Sequence, residues 1–254
     1  KPVWVSLSGE SVKSKGGATF KKQTDGSWLA SGKNPSGDVY EISATAQPGR
    51  LAGVLLEVFP DKSLPNQSLG RGSNGNFVLT GVQVAVHPPK GKPVILNLKS
   101  AKSDYDQANW EVTKVLKNAQ NLNKAGSLGW AINGNEKNKR VPRKAMFLAP
   151  DAVEVPKGAK LVVSLHHKSQ YGDHNVGRFR LSHTADKGAS LEGKPGLSPE
   201  ISSLLAKAVE ALKPLGIGFS NKTSDELGDA DVAVVGVVQG SKRYALLGPD
   251  GQFG

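Results

Sequence analysis

The stretch from Leu69 to Val84, LGRGSNGNFVLTGVQV, contains residue types whose spacing first suggests chemistry. Six of the seven residues from Gly70 to Asn76 are glycine, serine or asparagine. A phosphate-binding loop requires the pattern Gly-x-x-x-x-Gly-Lys-Ser/Thr and a helix directly after it. Here an apolar, strand-like segment begins at Phe77 instead, so the pattern argues against a nucleotide-binding loop.

Two other interpretations of this loop stay open. The side chains of Asn74 and Asn76 offer the hard oxygen ligands that Ca²⁺ prefers, and Asp61 is the only carboxylate close by in sequence. Alternatively, the loop is a tight corner in which the glycines take positive φ and the asparagines bond to their own backbone. In that case we expect Arg71 to pin the corner to a carboxylate such as Glu57. We favour the corner.

Other reactive groups are sparse. A hairpin would bring His166, His174 and His183 within reach of one another, which is a possible zinc or copper arrangement. The chain has no cysteine, so disulfides and thiol catalysis are excluded within it. The pattern Gly-x-Ser-x-Gly is absent, and no spacing singles out a pair of acids for glycoside hydrolysis. We therefore expect a protein that is not an enzyme.

Aromatic residues offer a different chemistry. Sugar-binding modules stack tryptophan and tyrosine rings on pyranose rings and bond the hydroxyls with amide and guanidinium groups. Trp110 lies in the polar stretch QANWE, so we expect it to be the most exposed ring, and Tyr105 and Tyr171 are further available platforms. The predicted ligand-binding set is Trp28, Tyr40, Trp110, Trp130, Arg71 and Asn109.

The charge of the chain is uneven. The net charge is +11, with 33 basic against 22 acidic residues. Residues 184–254 hold 7 basic and 9 acidic residues, which leaves 26 basic and 13 acidic residues, a net of +13, in residues 1–183. This favours an anionic partner such as an acidic polysaccharide. No nucleic-acid recognition motif accompanies the charge, so nucleic acid is not the expected partner.

Strand-like alternation dominates the first part of the chain, and glycine–proline turns separate the strands. This pattern predicts an all-β fold, an antiparallel jelly-roll β-sandwich over residues 1–184. Residues 185–197 are predicted to form a linker. An extension over 198–254 is predicted to contain a helix at 198–213, capped by Ser198, and a β-hairpin formed by 232–238 and 243–247. The apolar face of that helix suits docking on another domain or chain.

Two features bear on the setting of the protein. No run of roughly 18 apolar residues occurs, so no membrane span is expected. The chain begins at Lys1 without a recognisable signal peptide, and we expect it to be a processed or excised portion of a longer protein.

Several segments together resemble a known module. They are DGSWLASG (25–32), DVYEI (38–42), LAGVLLEVFPDKSLPNQSLGRGSNGNFVLTGVQV (51–84), GWAI (129–132) and HNVGRFRLSHT (174–184). The module is the galactose-binding-like jelly roll of large secreted planctomycete proteins, which also carry cytochrome c-like and planctomycete-specific domains. The resemblance implies a galactose-binding-like sandwich, an extracellular, cell-surface or periplasmic location, and a role in attachment to polysaccharide. The resemblance does not assign any residue of this chain to ligand binding.

These observations together predict a non-catalytic carbohydrate-binding module that binds a polysaccharide, anionic or neutral, through exposed aromatic rings and polar loop residues. The alternative is a structural or interaction domain of an extracellular or periplasmic assembly, which the predicted helix and hairpin would serve.

Overall fold

The computed structural model describes residues 4–119, 121–122, 126, 128–192, 195–196, 207, 233–237 and 244–247. The chain divides into two compact units, residues 1–22 with 27–199, and residues 23–26 with 200–254. The strands are β1 (Trp4–Ser6), β2 (Ser8–Ser14), β3 (Ala18–Lys22), β4 (Trp28–Gly32), β5 (Val39–Thr45), β6 (Gly49–Val58), β7 (Gly81–His87), β8 (Val94–Ile95), β9 (Ser100–Ser103), β10 (Arg143–Val155), β11 (Lys160–His166), β12 (Arg178–Thr184), β13 (Pro195–Gly196), β14 (Ala233–Val237) and β15 (Tyr244–Leu247).

Two sheets build the first unit. The first sheet has the order β13-β1-β12-β6-β10-β9, and β4 also pairs with β12 and carries β3. The second sheet has the order β2-β5-β11-β7-β8. Every strand pair in the described part of the chain is antiparallel except β1 with β13. The predicted all-β antiparallel sandwich is therefore confirmed.

The core lies between the two sheets. Residues of β6, β10 and β12 pack against residues of β5, β7 and β11, and alternate side chains along each strand face this core. The apolar segment of β6 is buried from Leu51 to Leu56, as is typical of a strand covered on both faces. Its outer face is covered as well, because Leu55 belongs to a second cluster with Trp4, Met146, Leu148, Ala189 and Leu191.

The segment expected to be a linker supplies part of that cover. Ala189 and Leu191 are buried, and the carbonyl of Ser190 accepts a 2.8 Å hydrogen bond from Trp4 Nε1. Further along, β13 pairs in parallel with β1. Residues 185–192 and 195–196 therefore belong to the first unit.

The segment after the glycine–asparagine loop differs from the prediction. We expected the strand-like segment that begins at Phe77 to be part of a strand, but β7 begins only at Gly81. The backbone N–H groups of Val78 and Leu79 donate instead to the loop residues His174 and Trp130, and that of Thr80 donates to His166 at the end of β11. The segment is extended and buried, but it bonds to these loops and to one strand end rather than joining a sheet.

Helical structure is short in the described part of the chain. An α-helix, α1, spans Thr113–Lys117, and 3₁₀ turns span Pro65–Gln67 and Lys137–Lys139. No helix among the described residues has the length and apolar character that crossing a membrane requires. The strands predicted for the tail are present, since β14 and β15 pair in antiparallel fashion. The helix predicted at 198–213 lies outside the described residues, apart from Lys207, which is helical.

Candidate ligand-binding cleft

Loops from both sheets meet at one end of the sandwich. Val58 at the end of β6 pairs with Arg143 and Phe179, the first residues of the ladders that β10 and β12 form with it. In the second sheet Gly81 at the start of β7 pairs with His166 at the end of β11. The loops next to these strands are 59–80, 128–142 and 167–177, and they are joined here by the loop 104–112, which follows β9. They are joined by bridges between Gly70 and Val176 and between Leu79 and Trp130.

The glycine–asparagine loop packs tightly at this end. A Cβ atom on Gly70 would lie 2.0 Å from the carbonyl oxygen of Asn76, and one on Gly134 would lie 2.2 Å from that of Gly75. Within the loop only Gly75 has positive φ, at 84°. The glycines are thus required mainly because two backbone segments approach closely, and only Gly75 takes the positive φ that the sequence suggested.

A cleft of about 280 Å³ opens between these loops. It is lined by Asn74, Asn76, Val78, Gln107, Trp110, Ala131, Asn135, Tyr171 and His174. The lining combines amide side chains with aromatic rings over a small apolar patch. This is the composition expected where a ligand with both polar groups and a ring face is held.

Asn76 organises the floor of the cleft. Its Oδ1 accepts hydrogen bonds from the backbone N–H groups of Ile132 (3.3 Å) and Gly134 (3.1 Å). Its Nδ2 donates to Oε1 of Gln107 over 2.8 Å, and the same Oε1 accepts from Asn133 N over 2.9 Å. One buried amide therefore links three loops.

Aromatic rings form one wall. The rings of Trp110 and Tyr171 lie 5.7 Å apart between centroids at an angle of 55°, and Tyr171 lies 5.2 Å from the ring of His174. Trp110 is half-buried, whereas Tyr171 is 44% exposed. This wall is therefore open to solvent and available to a ligand.

The ring of His174 is oriented by its neighbour Asp173. The Nδ1 of His174 lies 2.9 Å from Oδ1 of Asp173, and Oδ2 of Asp173 accepts from Ser73 N over 3.1 Å. Partial burial acts to raise the pKa of Asp173, but the Ser73 N–H group and the His174 ring outweigh it and hold that pKa below its ordinary value. Because an ionised carboxylate only accepts hydrogen bonds, Nδ1 carries the proton of this contact.

The structure brings some of the predicted residues together. Trp110, Asn74 and Asn76 line the cleft, and Asn109 lies exposed beside Trp110 with φ of 67°. Trp28 lies outside the lining, half-buried against the core, where Lys22 Nζ stands 5.5 Å from its ring centre.

Two predicted platforms and one predicted polar contact are buried instead. Tyr40 and Trp130 are 0% exposed, and they donate hydrogen bonds to the carbonyls of Val176 and Tyr105, respectively. Neither ring can stack on a ligand, because both faces are packed in the core. Arg71 is 8% exposed and donates to the carbonyls of Gly32 and Lys33, both over 2.8 Å.

The acid that we expected to hold Arg71 is engaged elsewhere. Glu57 accepts from Arg180 over 2.8 Å and 3.0 Å. Arg71 thus pins the corner through main-chain carbonyls rather than through a carboxylate, which corrects the prediction.

The oxygens of the expected calcium ligands already have partners within the protein. Asp61 accepts from the backbone and hydroxyl of Ser63 and from Arg178, while Oδ1 of Asn74 accepts from Asn76 N. Among the described residues no group of three or more histidine and acidic side chains is placed to hold a metal ion, including the histidines considered above. The loop has the form of the tight corner that we favoured, but only Asn74 bonds to the backbone of the loop, whereas Oδ1 of Asn76 accepts from Ile132 and Gly134.

Gln107, Asn135, Tyr171 and His174 line the cleft but were missing from the predicted binding set. Gln107 and Tyr171 carried some signal, since the former lies beside Trp110 and the latter was an available platform. Asn135 and His174 lie far from Trp110 in sequence, and they line the cleft only because the folded loops bring them beside it.

No protein-family model, curated protein or solved structure matches this chain.

Proposed function

We propose that this chain is a non-catalytic carbohydrate-binding module and that its ligand occupies the cleft at the loop end of the sandwich. The observation that carries the proposal is the wall formed by Trp110 and Tyr171, which faces the same space as the amides of Asn74, Gln107 and Asn135. Rings that stack on apolar sugar faces, next to amides that bond oxygen atoms, are the usual means of recognising carbohydrate.

The size of the cleft suits one sugar unit of a longer chain. Its volume of about 280 Å³ is near the lower end of the roughly 300–1,000 Å³ of typical ligand pockets. Tyr171 keeps 44% of its surface exposed, so neighbouring units of a polysaccharide can continue past the rim into solvent.

The lining favours binding over covalent chemistry. None of its nine residues carries a carboxylate, whereas glycoside hydrolysis ordinarily requires two facing carboxyl groups. The acids nearest to Trp110 in sequence have structural partners. Asp106 accepts from Ser103 and Val112, and Glu111 pairs with Lys114 over 2.7 Å.

An exported location forms part of the proposal, because the resemblance to modules of secreted planctomycete proteins supports it. In that setting the module would attach its parent protein to a polysaccharide. Docking through the helix predicted at 198–213 stays a separate prediction.

Affinity electrophoresis tests the proposal directly. The purified chain is run through native gels that contain neutral, acetylated or uronic polysaccharides, together with the variants Trp110→Ala and Trp28→Ala. We expect at least one polymer to retard the wild type, Trp110→Ala to lose most of that retardation, and Trp28→Ala to keep it. Retardation by none of the polymers would overturn the proposal, as would equal loss in both tryptophan variants when both remain folded by circular dichroism.

A further inference from the structure

Backbone contacts fix the orientation of the amides in the cleft. The Oε1 of Gln107 accepts from Asn133 N and from Asn76 Nδ2, so the Nε2 group of Gln107 is the end left for a ligand. The Oδ1 of Asn74 accepts from Asn76 N over 2.9 Å, which likewise leaves the Nδ2 group of Asn74. Neither nitrogen has a hydrogen-bond partner among the described residues.

The groups that the cleft offers are therefore mainly hydrogen-bond donors. Gln107, Asn74 and the indole of Trp110 present only N–H groups, and no lining side chain carries a carboxylate. Asn135 and Tyr171 can serve in either role, and Nε2 of a neutral His174 ring accepts, because Nδ1 holds the proton in the contact with Asp173. A plain hydroxyl brings a proton that needs an acceptor, whereas a carboxylate or a carbonyl oxygen only accepts. A polar group left without a partner in a desolvated site costs roughly 1–3 kcal/mol, so the donor-rich lining favours the second kind of ligand.

A positive charge lies at the Asn135 side of the cleft. Arg140 donates from Nε to the carbonyl of Gly134 over 3.0 Å, from Nη2 to that of Asn135 over 2.9 Å, and from Nη1 to that of Asn66 over 3.0 Å. All three acceptors are neutral carbonyls, and no carboxylate among the described residues forms an ion pair with this guanidinium. Its charge therefore favours an anion in the adjacent space.

The net charge of residues 1–183 also favours an anionic ligand. Residues 1–183 hold 26 basic and 13 acidic residues, a net of +13, so an anionic polymer is attracted at long range before it docks. Donor-only amides and a nearby guanidinium together distinguish a carboxylate from a neutral carbonyl.

From this combination we infer that the cleft is selective for a uronic acid residue, whose carboxylate accepts hydrogen bonds from Gln107 Nε2 on the side of the cleft nearest Arg140. The sugar ring stacks on Trp110. This inference rests on the proposed carbohydrate-binding function. An acetamido sugar, which offers a neutral acceptor oxygen, is the competing ligand that the test must separate.

The variant Gln107→Glu tests the role of Gln107 Nε2 as a hydrogen-bond donor to the ligand. It keeps an acceptor oxygen for Asn76 and Asn133 but replaces the Nε2 group with a second acidic oxygen. Asn135→Asp adds the same charge at an exposed side chain without a protein partner in the described part of the chain, so it preserves the fold. Gln47→Glu is the matched control, because Gln47 is exposed and lies outside the cleft lining.

Calorimetric titration compares oligogalacturonate and alginate oligosaccharides with methyl-esterified oligogalacturonate and with chito-oligosaccharides. We expect one uronic ligand to bind at least tenfold more tightly than the neutral ligands. Gln107→Glu and Asn135→Asp should each weaken that binding at least tenfold, whereas Gln47→Glu should stay within about twofold of the wild type.

Equal or tighter binding of the methyl ester or of the acetamido sugar would overturn the inference and leave the proposed function intact. So would equal weakening by Gln47→Glu, which would indicate a diffuse charge effect. The absence of binding to any of the glycans would overturn both.

Discussion

Asn76 and Gln107 are hydrogen-bonded to each other over 2.8 Å although 31 positions separate them in the chain. The same Asn76 is 5% exposed, and its side-chain oxygen Oδ1 accepts hydrogen bonds from the buried N–H groups of Ile132 and Gly134. The cleft floor thus depends on a single side chain that lies in the glycine–asparagine loop.

Replacing Asn76 with alanine should destabilise the protein substantially. The change leaves two buried N–H groups without an acceptor and removes one of the two donors to Gln107 Oε1, for which we expect a loss of about 2–4 kcal/mol in the free energy of unfolding. Urea denaturation measures this loss. The control Asn74→Ala removes one bond at an exposed side chain and should cost less than about 1 kcal/mol. Similar losses in the two variants would show that Asn76 does not organise the floor.

Replacing Gly70 with alanine should be still less tolerated. The new Cβ would meet the carbonyl oxygen of Asn76 at 2.0 Å, and backbone atoms cannot swing aside as a flexible side chain can. We expect a loss of more than about 3 kcal/mol or failure to fold. Gly188 is the matched control, since its nearest contact would be a side-chain oxygen at 3.4 Å. Thermal melting of Gly70→Ala and Gly188→Ala compares the stabilities of the two variants. Near-wild-type melting of Gly70→Ala would contradict the close backbone approach.

The sequence predicted the sandwich because strand periodicity is a local signal. Alternation in β5 and β11 and the continuous apolar run of β6 follow directly from which faces are buried. The segment from Phe77 to Thr80 has the same apolar character, yet it forms no sheet. Its hydrogen-bond partners lie on two distant loops and at the end of β11, and nothing within the segment reveals them.

The buried histidines at the end of β11 predict a loss of stability in mild acid. Burial lowers the pKa of His166 to about 4 and that of His167 to about 3, because the charged ring would lose its solvation. Both folded-state values lie below the ordinary value of about 6.5. As pH falls from about 6.5 towards 4, the two histidines therefore take up protons in the unfolded chain but stay neutral in the folded chain. The stability that the two neutral histidines contribute is complete above this pH range and is lost within it.

Urea denaturation at pH 7.5 and pH 5.0 measures the effect. For His167, whose ring packs 4.6 Å from that of Tyr40, we expect a loss of roughly 2 kcal/mol over this range. The variant His167→Phe cannot take up the proton, so its stability should fall by correspondingly less between the two pH values. An identical pH dependence in the variant and the wild type would show that His167 is not the group responsible.

The candidate site was only partly predictable from the sequence. Trp110 was expected to be the most exposed ring, because its neighbours are polar; it is half-buried instead, and Tyr171 is more exposed. Tyr40 and Trp130 have mixed surroundings in sequence, DVYEI and LGWAI, and long-range contacts bury them and satisfy their polar atoms. A single sequence cannot distinguish these cases, since burial of a ring depends on which loops cross it.

The environment of the four tryptophan indoles provides the final prediction. Trp4 and Trp130 donate from Nε1 to the carbonyls of Ser190 and Tyr105, and Nε1 of Trp28 is buried. Only Trp110 lies in the cleft. Each indole N–H gives one signal in the nitrogen–proton correlation spectrum of the ¹⁵N-labelled protein, and replacing each tryptophan singly with phenylalanine assigns the four signals.

The most direct test of carbohydrate binding in this cleft is the titration of the labelled protein with the glycan that retards it most strongly. We predict that the indole signal of Trp110 shifts progressively to saturation while the signals of Trp4, Trp28 and Trp130 stay in place. Saturable binding that shifts the Trp28 signal, or that leaves the Trp110 signal unmoved, would contradict the account.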